Sequence, residues 1–340
     1  MRYTPLKAIA ALAVAGLMLA GCSSGSLSDE DGATEPSDGA GTETSTAPDA
    51  GTGELTPVTV GLLQIAPHAA VQLAINEGIF EKHGLDVEFQ LGQGGAALLP
   101  AVSSGSIEFA VGNPLSILVA ASQGLPMQII AGYSYQQTGV PASGLVVKSD
   151  SGIDSWGDLE GKTVAVNAIN TLGDLGTMGL VAEDGGDPAA VQFTEIAFPD
   201  QLAQLEQGNI DAAWIPEPFI SAALATEGME FLGNTFDVIP GLYSTVTFTT
   251  ATFAEENPET VAAFAAAIAE ATEFAEANED LNRAEIVEYT GMPAEVVDTI
   301  ELETLTGDLD PAILEELTAL ALKYGLLTSE PDLDAVIAIP

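Results

Sequence analysis

Three short stretches of this chain place side-chain amides or glycines directly ahead of a helical pattern: Gln93-Gly94-Gly95, Asn113-Pro114 and Asn170-Thr171. A helix start carries backbone N–H groups that no preceding turn satisfies and the positive end of the helix dipole, so each stretch can hold an oxygen or an anionic group without a lysine. Each also has a plainer explanation, because glycines serve tight turns and Asn and Thr are good N-caps. Around them fall side chains able to grip a small molecule. Gln64 and His68 flank the end of the first apolar run, and Tyr133, Tyr135 and Trp214 offer rings for stacking at the ends of later runs. Asp200 and Glu217 offer carboxylates, the second held between Pro216 and Pro218, which stiffen its backbone. Core packing is the standing alternative for Trp214, helix-end packing for His68 and helix capping for Asp200.

Catalytic and metal chemistry finds little here. The two histidines, His68 and His83, lie at opposite ends of one helical pattern, and the single cysteine, Cys22, lies far ahead of both, so no metal set forms. Gly-x-Ser-x-Gly, Gly-x-x-x-x-Gly-Lys and His-Glu-x-x-His are all absent, and no cofactor is implied. The reading is of a binding protein and not of an enzyme.

The elements that must position these residues alternate. Strand patterns at 58–65, 85–91, 107–111 and 127–135 are interleaved with helical ones, and every loop after a strand carries Gly, Pro, Asn or Gln. A second series follows, with strands at 144–148, 163–166, 192–197 and 212–215. A continuous run at 243–249 then leads into an Ala- and Glu-rich helical region from 252 onward, broken at Pro258, Gly291-Met292-Pro293 and Gly307. This predicts an α/β protein with two parallel-rich mixed sheets flanked by helices, in which ligands sit at the carboxyl ends of strands.

The first residues put Arg2 and Lys7 ahead of an apolar run from Ala8 to Leu19, a secretory leader too short to remain as a membrane span. It closes on Leu19-Ala20-Gly21-Cys22, which resembles the bacterial lipobox, so residues 1–21 are expected to be a signal peptide and Cys22 a lipidated first residue. Residues 22–55 continue in Ser, Thr, Gly, Pro and acid, a composition that cannot bury a core and reads as a disordered tether. In the whole chain 50 acidic residues oppose 7 basic ones, giving a net charge of −43. Such a field rejects nucleic acid and anionic surfaces. Beyond the leader the basic residues are Lys82, Lys148, Lys162, Arg283 and Lys323, none of them in a loop after a strand.

Longer matches now narrow the class. Val58-Thr-Val-Gly-Leu-Leu-Gln, Leu73-Ala-Ile-Asn-Glu-Gly-Ile-Phe-Glu-Lys-His-Gly-Leu-Asp-Val-Glu, Gly105-Ser-Ile-Glu-Phe-Ala, Asp158-Leu-Glu-Gly-Lys-Thr-Val-Ala, Leu205-Glu-Gln-Gly-Asn-Ile-Asp-Ala-Ala-Trp and Glu217-Pro-Phe keep their order and spacing from about Val58 to Ala223. Together they resemble the nitrate, sulfonate and taurine family of ABC-importer solute-binding proteins, which includes binders of thiamin pyrimidine precursors. The resemblance implies the two-lobed periplasmic-binding-protein-like fold (type II), with two crossover strands at 144–148 and 242–249 and a ligand in the cleft. Lobe one would comprise 56–143 and 250–340, lobe two 144–241, and 242–249 the second hinge strand. It also implies a monomer that meets permease and ATPase subunits on the outer face of the cell membrane. A cleft without Lys or Arg favours a planar solute, neutral or singly anionic and pyrimidine-like. Alkanesulfonate, taurine or nitrate is the alternative. An enzyme related to pyrimidine synthases would need a cofactor lysine and a cysteine cluster, and the sequence has neither.

Overall fold

The computed structural model describes residues 54–92 and 95–340. Cys22, the leader, most of the acidic tether, Gln93 and Gly94 lie outside them.

Eleven strands form two mixed sheets among the described residues. The first contains β1 (Thr56–Leu63), β2 (Leu85–Gly92), β3 (Phe109–Gly112), β4 (Met127–Tyr135), β10 (Tyr243–Thr250) and β11 (Thr304–Leu305), in the order β11-β4-β10-β3-β1-β2. The second contains β5 (Ser143–Lys148), β6 (Thr163–Val166), β7 (Gln192–Glu195), β8 (Ala212–Pro216) and β9 (Met229–Gly233), in the order β7-β6-β8-β5-β9.

β1 pairs in parallel with β2 from Thr56↔Leu85 to Leu63↔Gly92. Val58, Val60 and Leu62 face the core on β1, while on the edge strand β2 buried Leu85 and Val87 alternate with exposed Asp86 and Glu88. Charge on an edge discourages pairing with another chain. β3 is buried throughout, as the residues of a central strand covered on both faces should be.

The chain passes between the sheets twice, through 136–142 and through 234–242. Both strands that receive it run antiparallel to their neighbours: β5 lies between β8 and β9, and β10 between β4 and β3. The segments expected as crossover strands are therefore each integrated into one sheet, and the crossing itself falls to the non-strand residues before them. Two short strands, β9 and β11, escaped the sequence reading. β9 shows no clean alternation of burial, and β11 has two residues.

The 172–183 helix packs through Gly173, Gly176 and Gly179. A Cβ on Gly173 would lie 2.7 Å from the Trp214 ring, one on Gly179 would lie 2.5 Å from Val238 Cγ2, and one on Gly176 would overlap the Thr235 carbonyl. Only glycine lets this helix approach Trp214 and the 235–238 turn so closely, and the approach sets one wall of the site described next. In the C-terminal region the 258–277 helix stacks Phe264 on Phe109 of β3, with centroids 3.9 Å apart, which fastens it to the first sheet.

Candidate ligand-binding site

A cavity of about 50 Å³ lies where the ends of strands from the two sheets meet: the carboxyl ends of the parallel strands and the amino ends of the antiparallel β5 and β10. The first sheet contributes Leu63 at the end of β1 and Ile65 after it, Asn113 and Ser116 after β3, Ser244 and Thr245 of β10, and Glu303 just ahead of β11. The second contributes Ser143 of β5, Asn167, Ala168 and Thr171 after β6, Phe198 after β7, Trp214 and Pro216 of β8, and Phe236 after β9. The walls are mostly hydrocarbon and aromatic, with amides and hydroxyls set into them, the composition of a small-molecule pocket. Among the described residues Glu303 is its one ionisable lining residue.

Two helix starts, one from each sheet, line this cavity. Asn113 caps the 114–122 helix, its Oδ1 accepting from Ser116 N at 3.2 Å. Thr171 precedes the 172–183 helix; its hydroxyl donates to the Ala168 carbonyl at 2.9 Å. The N–H groups of Asn170 and Thr171 both donate to Asp174, each at 2.6 Å. Burial pushes the Asp174 carboxyl up to about 6, against the pull of those backbone hydrogen bonds.

Trp214 stands between Phe198 and Phe236, with ring centroids at 5.8 and 6.4 Å, and its Nε1 donates to Thr235 Oγ1 at 2.8 Å. Only 6% of the residue is exposed, so it belongs to the core and to the cavity wall together.

Of the residues singled out from the sequence, Asn113, Thr171 and Trp214 come together on this cavity. Glu217 lies next door. It lines a smaller cavity of about 10 Å³ with Asn282, Glu301 and Glu303, and its carboxylate accepts from the Ser221 hydroxyl at 2.6 Å. Its own backbone carbonyl accepts from Ala66 N at 3.2 Å, joining the two sheets' territories. Burial lifts the Glu217 carboxyl to about 7, with hydrogen bonds from Ser221 and the Glu301 backbone opposing the rise.

The other expected residues sit elsewhere, for identifiable reasons. His68 is fully buried; its Nδ1 accepts from Leu63 N at 2.9 Å and its ring meets Tyr133 edge-on at 5.4 Å. Desolvation lowers His68 to about 3, so the imidazole is a neutral core group. Tyr133 is buried as well, its hydroxyl donating to the Pro67 carbonyl at 2.8 Å. Tyr135 packs against Tyr243. Gln64 is exposed and donates to the Tyr289 carbonyl at 3.2 Å, at the end of the 279–290 helix. Asn170 is exposed and adopts a left-handed φ of 62°, a conformation that suits Asn, so it serves the turn. Asp200 is exposed in the first turn of the 198–206 helix, and Gly95 begins the 95–103 helix.

The residues missed were Ser116, Ser143, Asn167, Phe198, Phe236, Ser244, Thr245 and Glu303. Asn167 follows a strand and the strand-end rule applied one residue after β6 would have found it. Glu303 gives no local signal; it reaches the cavity through the return of the C-terminal region to the first sheet.

Glu303 is 8% exposed and sits in a chain of polar side chains. Its Oε1 accepts from Gln136 Nε2 at 3.2 Å, and its Oε2 accepts from the Ser244 hydroxyl. Gln136 also donates to Ser143 and accepts from Asn234 Nδ2 at 2.9 Å, while Ser134 bridges Ser244 at 2.7 Å and Thr245 at 2.6 Å. Burial raises the Glu303 carboxyl above the usual range, against the hydrogen bonds it receives.

Comparison with known proteins gives consistent results. The family model described as NMT1/THI5 like matches residues 66–280. The taurine-binding periplasmic protein of Escherichia coli K12 is 28% identical over 69% of this chain and 73% of its own. A Bacillus subtilis protein named for binding aliphatic sulfonates is 27% identical over 55% of each chain. A protein of Brucella abortus named as a binding protein is 28% identical, and this chain spans 62% of its length. Among solved structures, the alkanesulfonate-binding protein SsuA from Xanthomonas axonopodis pv. citri superposes with a TM-score of 0.71 at 18% identity, covering 85% of this chain and all of its own. The nitrate-binding protein NrtA from Synechocystis PCC 6803 gives 0.72 at 15% identity, over 84% of this chain and 86% of its own. The desulfurization enzyme DszB gives 0.59 at 16% identity, over 84% and 96%, so the fold is shared by binders and at least one enzyme.

Proposed function

The chain belongs to the NMT1/THI5-like family, and from that premise we propose that it is the extracytoplasmic solute-binding component of an ABC importer. It captures a compact organic solute of the sulfonate class between its two lobes and delivers it to permease and ATPase subunits. The observation that carries the reading is the cavity on which the ends of strands from both sheets and the starts of two helices converge. Such a site is closed by bringing two lobes together, and a ligand touching both stabilises the shut state.

Size and charge favour a compact solute. A cavity of about 150 Å³ holds benzene, and the one here is about 50 Å³. A pyrimidine ring and a two-carbon sulfonate are of similar bulk, so either requires the lobes to part, and both satisfy the demand for a small solute. The relatives named for taurine and aliphatic sulfonates point to the sulfonate. With no Lys or Arg among the described lining residues, a sulfonate rests on the amides and hydroxyls beside the two helix starts, which can hold an oxyanion. The ring of Trp214 supports a planar solute as the second reading.

The protein acts as a monomer attached through a lipid on Cys22, with residues 22–55 as its tether. The decisive experiment is a melting screen of the mature protein against short sulfonates, nitrate and pyrimidines, with mass spectrometry of each compound afterwards. A solute at about 100 times its Kd adds about 2.7 kcal/mol to the folded state. Melting shifts from sulfonates with the compound recovered intact are expected. No shift from any solute, or a chemically altered solute, would end this reading. Labelled fatty acid should enter the wild type and be lost in Cys22→Ala; a wild type that takes up none removes the anchor.

A further inference from the structure

We propose that Glu303 is a specificity-determining residue that restricts the solute to molecules carrying an ammonium group, so that the ligand is a zwitterion with its oxyanion at the helix starts and its nitrogen at Glu303. This rests on the solute-binding reading above and names the ligand class within it.

The argument starts from the lining. Among the described residues Glu303 is its one ionisable group, nine-tenths buried, amid walls that supply amides, hydroxyls and hydrocarbon. A carboxylate facing an enclosed apolar space repels a plain anion strongly, because little solvent screens it. The groups around Glu303 hold it as an acceptor. Asn234 Nδ2 donates to Gln136 Oε1, which turns the other end of that amide, Nε2, toward Glu303 Oε1. Ser244 donates to Oε2. Both oxygens thus accept hydrogen bonds from neutral donors, and no cation among the described lining residues balances the charge. An ammonium on the solute is the complementary partner, and a sulfonate or similar oxyanion at the other end meets the amides and hydroxyls of Asn113, Ser116, Asn167 and Thr171 beside the two helix starts. A charged group without its partner in a buried site is costly, so the same carboxylate that attracts the amine rejects the amine-free analogue.

Isothermal titration of the wild type with taurine (2-aminoethanesulfonate) and ethanesulfonate, which differ by the amine alone, tests this. Taurine should bind about 10- to 100-fold tighter, the range of a hydrogen bond to a charged group. In Glu303→Gln the preference should collapse, with taurine weakened and ethanesulfonate unchanged or improved. A variant that only perturbed the fold would weaken both sulfonates alike, which would overturn the role of Glu303 in selection. Equal or tighter binding of ethanesulfonate by the wild type overturns the proposal even if the variant fails to fold, and leaves the solute-binding reading in place. Binding of neither sulfonate, nor of β-alanine or 2-aminoethylphosphonate, overturns both.

Discussion

Trp214 presents part of its surface to the cavity and the rest to Phe198, Phe236 and Gly173. A ligand-only tryptophan could be truncated without harm to the empty protein; this one cannot. Trp214→Ala should cost about 3–5 kcal/mol of stability without ligand, in addition to weakening binding, and denaturant unfolding of the apo protein measures it. Trp214→Phe retains the ring and should recover most of the stability while losing the hydrogen bond to Thr235. His68 makes a complementary case. Buried and held low, near 3, by desolvation, it should show no titration of its ring NMR signals between pH 5 and 8. A midpoint inside that window would mean that solvent or a ligand reaches the imidazole. Both residues stood out in the sequence for their type, but type does not reveal which way a ring turns. The positions after strands were legible, and the inward direction of His68 was set by Leu63 N, a partner in the preceding strand.

At the level of elements, the 172–183 helix shows how a helix of low apolar contrast finds its place. Glycines at 173, 176 and 179 lie three apart on one face and bring the backbone against Trp214, Thr235 and Val238. Gly173→Ala should push the Trp214 ring, costing about 1–3 kcal/mol as overpacking does and reducing solute affinity. Unchanged melting and affinity would show that the ring yields freely. The alternation of strands and helices was readable because periodicity and turn residues are local properties. The strand order was not: β10 enters the first sheet between β3 and β4, a position decided by residues more than a hundred apart. Glu303 belongs to the same category, since its neighbours Gln136, Ser244 and Ser143 come from both crossings and none is near it in sequence.

For the molecule as a whole, a net charge of −43 sets the background and a few buried acids set the pH response. Glu217 rises to about 7 and Asp174 to about 6 on folding, both through burial, from ordinary values of 4.5 and 3.8. Raised acid values mean that the folded state holds extra protons. Their contribution is complete below the ordinary values and is lost as pH climbs to the folded ones. At fixed ionic strength Tm should therefore fall between about pH 5 and pH 8, and Glu217→Gln should flatten the curve over its upper part. A Tm that rises with pH in this interval would contradict the burial of Glu217 beside Glu301. Added salt should raise Tm at every pH, since screening relieves the repulsion among surface carboxylates.

The strand order of the first sheet also dictates a sequence of assembly. β5 to β9 come from one uninterrupted stretch, 143–233, so the second sheet can complete itself with contacts of moderate range. The first sheet cannot. Until β10 inserts, β3 and β4 each expose an open edge of unpaired backbone, and both strands are almost wholly buried in the finished fold. Long-range pairings close slowly, and open edges invite aggregation while they wait. The second sheet should therefore mature early and the first should be closed by the segment that follows it, so the strand that fills the gap between β3 and β4 is also the one that brings Ser244 and Thr245 to the cavity. Closure of the gap in the first sheet and delivery of that wall of the cavity are then a single kinetic event.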